Sequence, residues 1–334
     1  MLSEIARPLI VVADGHTLNP GDLDWDALAR LGEVRVYERS GPLLEERCQA
    51  ADVVLTNKEI FHAALLARLP KLRFISVLAT GTNVVDLAAA RSLGVTVSNV
   101  PAYATNGVAQ HVFALLLELL NQTGAHAAAV TRGEWASSQD FSFTLSPLRE
   151  LSGKTLGVVG LGRSGQHVAQ VAEAFGMRIL ASRRPGAPMP TLDGAVQSVP
   201  FEDLLAQSDI VSLHCPLTDQ TRNLINAVSL KQLKPGAYLI NTGRGPLLDE
   251  VAVLESLKSG HLAGIGLDVL SEEPPAPTHP LIRWAAEHPE NARRCIITPH
   301  IAWATLEART RLMNVTVANV RAFLDGHPQN VANP

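Results

Sequence analysis

The stretch that most constrains this chain is Leu156-Gly157-Val158-Val159-Gly160-Leu161-Gly162-Arg163-Ser164-Gly165. Residues 156–159 have the length and β-branched content of a buried strand. A helix-like segment follows at 164–175, and a second strand-like run at 178–182. Gly160, Gly162 and Gly165 fit the spacing G-x-G-x-x-G between strand and helix. There one glycine makes a tight turn, the next lets a bound group approach the backbone, and the third lets helix and strand pack closely. A helix start also offers free N–H groups and a partial positive charge, which suit a phosphate. A glycine triplet alone is a common turn. The strand before it, with the helix and strand after it, turns the reading into a dinucleotide-binding unit.

The second strand of such a unit usually ends in an acid that holds a ribose 2′-hydroxyl, whereas an arginine there can accept a 2′-phosphate. This strand ends in Ser182, Arg183 and Arg184, with no carboxylate before Asp193. NADP(H) is therefore the favoured cofactor, with NAD(H) the other candidate.

At 334 residues the chain has room for about two domains, and 46% apolar residues supply two cores. A formal net charge of −4 gives no general basic surface, so a nucleic-acid partner is not expected. Cys48, Cys215 and Cys295 show no metal-ligand spacing and suit a reducing compartment. The apolar run Val112–Leu117 stops at Glu118, too short to span a membrane. No signal peptide is apparent. A cytoplasmic protein with no bound metal and no membrane partner is the expectation.

Residues 1–100 alternate strand signals (8–13, 33–37, 52–56, 72–78, 95–98) with helical ones (23–31, 43–50, 59–68, 84–93), as in a small parallel α/β domain. Ligands of such sheets lie beyond the carboxyl ends of strands. Two ends stand out, one at Asn57 and one at Ala79-Thr80-Gly81-Thr82-Asn83. The amides of Thr80 and Gly81 are placed to receive a carboxylate, and Thr82 or Asn83 to cap the next helix. A helix follows over about 103–122, with Asn106 in its first turn. It is apolar almost all round, which predicts burial between domains or in an oligomer interface. His111 on it reads as a packing residue. Residues 123–150 hold Trp135, Phe141 and Phe143 in a polar run, and read as the arm of a homodimer or as a loop folded on its own domain.

From 151 to about 298 the alternation resumes, with strands at 195–199, 209–213, 237–241, 263–267 and 295–298. Past Pro299 a helix over about 303–324 returns to the first domain. The expected fold is α/β: a discontinuous flavodoxin-like substrate domain (1–100 plus 300–334) and a Rossmann dinucleotide-binding domain (101–299), both doubly wound parallel sheets, with a cleft between them. Three strand ends in the second domain carry chemistry. Arg244 stands between glycines, free to grip a carboxylate with both prongs. Asp268 and Glu273 lie in the second, and His300, a proton donor near neutral pH, in the third. His214 is a rival imidazole.

Together these segments resemble the D-isomer-specific 2-hydroxyacid dehydrogenase family. The matching stretches are Ala-Thr-Gly-Thr-Asn-Val-Val-Asp (79–86), Gly-Leu-Gly-Arg-Ser-Gly (160–165), His-Cys-Pro-Leu-Thr (214–218), Asn-Thr-Gly-Arg-Gly (241–245), Leu-Asp-Val (267–269) with Glu273-Pro274, and Thr-Pro-His-Ile (298–301). The resemblance implies that Arg244 binds substrate, that His300 is the acid/base, and that Glu273 orients His300 and favours its protonated form. It places Asp268 on the nicotinamide side. With the readings above, Asn106, Gly160, Gly162, Arg163, Ser164, Gly165, Ser182, Arg183, Arg184, His214, Cys215, Pro216, Thr221, Thr242 and Gly243 are expected around the cofactor, Arg183 being a departure from the acid usual in NAD-using relatives. Asn57, Thr80, Gly81, Arg244 and Trp303 then line the substrate site, with Trp303 as a wall that admits a small side chain. The implied partner is a small 2-oxo or 2-hydroxy acid, and the run His300–Trp303 is most like the glycerate dehydrogenase (hydroxypyruvate reductase) branch. D-Lactate, 2-ketogluconate or 3-phosphoglycerate dehydrogenase activity, or a non-catalytic NAD(P)-sensing module, are the alternatives.

Overall fold

Residues 7–182 and 196–334 are described by the computed structural model. The chain divides into two compact units, Met1–Ala104 with Trp303–Pro334, and Thr105–Ala302. Arg183, Arg184 and the loop after them lie outside the described residues.

The first unit is built on five parallel strands: β1 (Leu9–Val12), β2 (Glu33–Val36), β3 (Val53–Thr56), β4 (Phe74–Val77) and β5 (Thr96–Ser98). Their order is β2-β1-β3-β4-β5. The strands β3 and β4 are buried at every position, as continuous apolar runs in a sheet covered on both faces should be. The helix Leu306–Leu324 belongs to this unit. Thr305 caps its start by accepting the Ala308 N–H, and Phe323 stacks on Phe74 of β4 with ring centroids 4.5 Å apart. Arg309 ties it to the N-terminal segment through a two-pronged pair with Asp22, 2.6 Å at each contact.

The second unit holds seven parallel strands: β6 (Thr155–Val159), β7 (Arg178–Ser182), β8 (Val196–Ser198), β9 (Ile210–Leu213), β10 (Ala237–Asn241), β11 (Leu262–Leu267) and β12 (Cys295–Ile297). The order is β12-β11-β10-β9-β6-β7-β8. The chain leaves β6 toward β7 and β8, then returns to β9 on the other flank of β6. That reversal makes a crevice at the carboxyl ends of β6 and β9, where open α/β sheets bind ligands. Since all seven strands are parallel, the turns after β6, β9, β10, β11 and β12 share one edge.

The helix Thr105–Asn121 buries one face against its own unit. It runs along β11, where Gly264 and Gly266 let Leu119 and Leu115 come close. The short helix Leu87–Ser92 is capped by Asp86, whose Oδ1 accepts the Ala89 N–H, and not by Thr82 or Asn83. Part of the segment read as arm or loop is itself helical, Thr123–Thr131. Beyond it, Trp135 donates its indole N–H to Phe141 O at 2.9 Å, while the Phe141 ring is 91% exposed. Among the described residues no helix is long and apolar enough to cross a membrane.

Candidate active site

The three glycines after β6 divide their work. Gly160 has φ +96°, and a Cβ there would stand 2.6 Å from Cys215 N in the turn after β9. A Cβ at Gly165 would overlap the Gly160 carbonyl oxygen. These two glycines are required by the protein itself. Gly162 is different: nothing lies within 4 Å of where its Cβ would be. It is the N-cap of the helix Arg163–Ala174, whose first-turn amides have no intrahelical acceptor. The space over Gly162 is therefore open backbone at a helix start, with Arg163 and Ser164 beside it. A second sign comes from the turn after β10, where Thr242 Oγ1 is buried with no hydrogen-bond partner among the described residues. A cradle that a Cβ would fill and an orphaned hydroxyl both fit a dinucleotide.

Other residues near this crevice are held for structural ends. Ser182 accepts the Gly160 N–H through its carbonyl. The Thr221 hydroxyl donates to Pro216 O at 2.7 Å and accepts the Thr218 N–H, fixing the loop after β9. His214 has Nε2 2.8 Å from Ser212 Oγ, and burial pushes its pKa down to about 4. It is a neutral ring near pH 7, which removes it as a proton donor. Burial likewise pushes the Cys215 thiol up, away from reactivity. Asn106 is exposed on the first turn of its helix.

Beyond β10 the buried Asn241 shapes the next turn. Its Oδ1 accepts the Gly243 N–H at 3.0 Å and its Nδ2 donates to Arg244 O at 2.9 Å. The Arg244 side chain is left exposed, with Nη1 on Gly243 O at 2.7 Å and the rest of its fork open among the described residues. A Cβ on Gly245 would overlap the carbonyl of Leu270, so the turns after β10 and β11 touch backbone to backbone.

The turn after β12 is held by Asp268. Its Oδ1 accepts the Thr298 hydroxyl at 2.6 Å and the Ile301 N–H at 2.8 Å, and its Oδ2 accepts the Ala302 N–H at 2.8 Å. His111 Nε2 lies 2.9 Å from Thr298 Oγ1 and 3.3 Å from Asp268 Oδ1. Burial would raise the Asp268 pKa, but the hydrogen bonds from His111, Thr298, Ala302 and Ile301 outweigh it and hold the carboxyl below its usual range. Asp268 is thus an internal anchor, with its oxygens committed to the turn. Inside that turn His300 has φ +55°, a left-handed conformation that costs a side-chain-bearing residue about 1 kcal/mol or more. The Asp268 bonds on the two following residues hold it there. His300 Nδ1 then lies 2.7 Å from Glu273 Oε2, while Glu273 Oε1 accepts the Leu270 N–H at 3.0 Å. The carboxylate is fixed at both oxygens and fixes the ring in turn, leaving Nε2 as the nitrogen directed outward for proton exchange.

On the first unit, Asn57 is buried and donates Nδ2 to Leu78 O at 2.9 Å. Asp14 caps its turn, accepting the amides of Asn57 at 2.8 Å and Lys58 at 2.5 Å. Asn57 is a brace for the segment that leads to Thr80. The Thr80 hydroxyl donates to Val100 O, and Asn99 donates to Thr80 O. The amides of Thr80 and Gly81 enter no hydrogen bond of the described residues. Trp303 packs edge-on against Tyr103 at 6.3 Å.

Against known proteins, residues 113–302 match the family model of the D-isomer specific 2-hydroxyacid dehydrogenase NAD-binding domain. The chain belongs to that family. This dehydrogenase is 43% identical to a hydroxypyruvate reductase of Blautia hydrogenotrophica over 97% of its own length and 99% of the relative's. It is also 43% identical to a glycerate dehydrogenase of Methylorubrum extorquens, covering 86% of this chain and 87% of that one. Among solved structures it is similar to the TT0316 protein of Thermus thermophilus, with TM-score 0.84, 36% identity, and coverage of 97% and 99%. The dehydrogenase is an oxidoreductase, and its second unit is built for a nicotinamide dinucleotide.

The sequence motifs contain Thr298 and Asn241 without giving either a role, and His111 reads there as a packing residue. Asn241 had a signal in its place as the last residue of a strand. His111 had none, since its hydrogen-bond partner Thr298 is 187 residues away.

Two outcomes follow from this geometry. Gly162→Val should keep the fold and melting curve but weaken NADPH binding by about tenfold or more, about 1.4 kcal/mol, in a fluorescence titration. Unchanged affinity would remove the dinucleotide from this turn. Asp268→Asn turns an amide NH2 toward a backbone N–H, so urea unfolding at neutral pH should show a loss of about 1–3 kcal/mol. The folded carboxyl titrates below its ordinary value, so its contribution is full above the usual carboxylate range. It is lost as pH falls through the lowered value. The gap between wild type and variant should therefore close in acid, and a gap that persists unchanged there would contradict the anchoring role.

Proposed function

We propose that this enzyme reduces hydroxypyruvate to D-glycerate, and glyoxylate to glycolate, with NADPH preferred over NADH. The reading is carried by the His300–Glu273 pair at 2.7 Å, set on the same sheet edge as Arg244 and the glycine turn. It is supported by the similarity to a hydroxypyruvate reductase and a glycerate dehydrogenase. The missing acid after β7, with Ser182, Arg183 and Arg184 in its place, supports the phosphate-bearing cofactor.

The nicotinamide, when bound, supplies a hydride to the carbonyl carbon. Arg244 receives the substrate carboxylate with two parallel N–H groups and polarises the neighbouring carbonyl. As charge develops on the carbonyl oxygen, His300 gives it the Nε2 proton. Glu273 holds the ring against Nδ1 and stabilises the imidazolium before transfer. General acid help of this kind is worth about 10²–10⁴-fold in rate. The open amides of Thr80 and Gly81 offer the first unit's site for a substrate oxygen, and Trp303 restricts the substrate's side chain to a small group.

Reduction of hydroxypyruvate, glyoxylate, pyruvate, 2-ketogluconate and phosphohydroxypyruvate, followed by nicotinamide absorbance with NADPH and NADH in parallel, tests the reading. The expected order is hydroxypyruvate, then glyoxylate, each faster with NADPH. His300→Ala should lower kcat by about 10²-fold or more while leaving cofactor affinity in place. A rate order led by pyruvate or by the phosphorylated acid would replace the substrate assignment, and NADH preference would replace the cofactor one.

The functional molecule in this reading is a homodimer that uses the 123–150 segment, where Trp135, Phe141 and Leu148 are exposed on one short stretch. Phe141→Asp should shift light scattering from the dimer mass to the monomer mass. A wild type that scatters as a monomer would dismiss the arm.

A further inference from the structure

Glu250 stands outside the proton-transfer pair and outside the substrate arginine, yet it joins the segments that carry them. It is the first residue of the helix Glu250–Lys258, six residues after Arg244, and its side chain is largely buried. Its Oε1 accepts the Ser271 N–H at 2.8 Å, and its Oε2 lies 3.1 Å from His279 Nε2. Ser271 and His279 flank Glu273 on the turn after β11. His279 is buried, and its Nδ1 has no partner among the described residues. The tautomer with the proton on Nε2 leaves no buried donor orphaned, so the ring donates to the carboxylate. One carboxylate thus clips both ends of the stretch 271–279.

A second contact sets the register of this clip. Gly245 presses on the Leu270 carbonyl with no room for a side chain. The turn bearing Arg244 and the turn bearing Glu273 are therefore joined at two points, Gly245 on Leu270 and Glu250 on Ser271. Glu273 in turn depends on the second of these turns, because Leu270 N–H fixes its Oε1.

We propose that Glu250 is a positioning residue for the reaction: with His279 it locks the 271–279 segment so that Glu273 meets His300 while Arg244 faces the same substrate. This rests on the reading that Glu273 and His300 carry the proton. Glu250 does not touch substrate or cofactor. Its removal frees the Ser271 end of the segment and lets the Glu273 carboxylate leave the His300 ring.

The test compares wild type, Glu250→Ala, Glu250→Gln, Glu273→Gln and the double variant Glu250→Ala/Glu273→Gln. The readouts are kcat against pH, KM for NADPH, and the melting temperature. Glu250→Ala should lower kcat by about 10- to 100-fold, the range found when residues that orient a working side chain are removed. KM for NADPH should stay within about twofold, since the glycine turn after β6 is untouched. Its kcat–pH profile should move toward that of Glu273→Gln. Glu250→Gln keeps an acceptor for Ser271 N–H and should recover most of the rate. In the Glu273→Gln background, removing Glu250 should cost little more, because the carboxylate it positions is already gone.

A lower melting temperature with an unmoved kcat–pH profile would reduce Glu250 to a structural role and overturn the proposal. Equal losses in both backgrounds would do the same. If Glu273→Gln itself leaves rate and profile unchanged, the proton-transfer reading falls. If Glu273→Gln acts and Glu250→Ala does not, that reading stands and the positioning role falls.

Discussion

The Asp268 carboxylate is the interaction on which the reactive edge depends. It is buried at the end of β11 and takes up the hydroxyl of Thr298 and the amides of Ile301 and Ala302, with His111 beside it. A buried carboxylate without such partners would lie far above its usual pKa. Here the partners win, and the turn after β12 is drawn onto a fixed charge. That turn contains a histidine in a left-handed conformation, uncommon for any residue but glycine. The conformational cost at His300 is carried by the network around Asp268, and its result is a ring whose Nδ1 meets Glu273.

The same logic recurs in each unit at different strengths. Asn241 shapes the Arg244 turn with neutral hydrogen bonds to backbone. Asp14 does it with charge on the first unit, gathering the amides after β3. In each case a buried polar side chain at a strand end commits its hydrogen bonds to the backbone of a neighbouring turn. The Arg244 side chain stays exposed beyond these bonds, free to meet a ligand in the function proposed above. A polar group buried at such a place is stable only when fully satisfied, so it specifies the turn's conformation as well as stabilising it.

Much of the architecture was legible because it rests on local rules. The strands β1 to β12 stand within two or three residues of their apolar runs, and the glycine turn declares itself by spacing. The separate duties of the three glycines were not legible. That Gly160 and Gly165 serve packing while Gly162 faces open space depends on Cys215 and on helix placement. The cap at Asp86 was missed because several polar residues compete there and only the backbone geometry selects one. The His111 side chain was read as packing because its helix is apolar, whereas its Nε2 reaches a hydroxyl far along the chain. Strand-end residues announce themselves in a sequence. The second layer of groups that aims them is set by long-range contacts and stays hidden.

A sheet whose strands all run one way also has a second edge, away from the groups proposed to react. The turns that enter β6, β10 and β11 pass through Gly153, Gly236 and Gly260. All three have positive φ, and nothing stands within 4 Å of where a side chain would begin. These turns lie at the opposite ends of the strands from His300, Arg244 and the glycine motif. Within the second unit one rim thus carries the groups proposed to react, and the other, the idle rim, carries none of them. Exposed turns of small residues are where chains accept insertions. A fluorophore, an affinity handle or a fused domain placed on the idle rim leaves the reacting groups with the same neighbours, which makes that rim the natural attachment face for immobilising or labelling this enzyme.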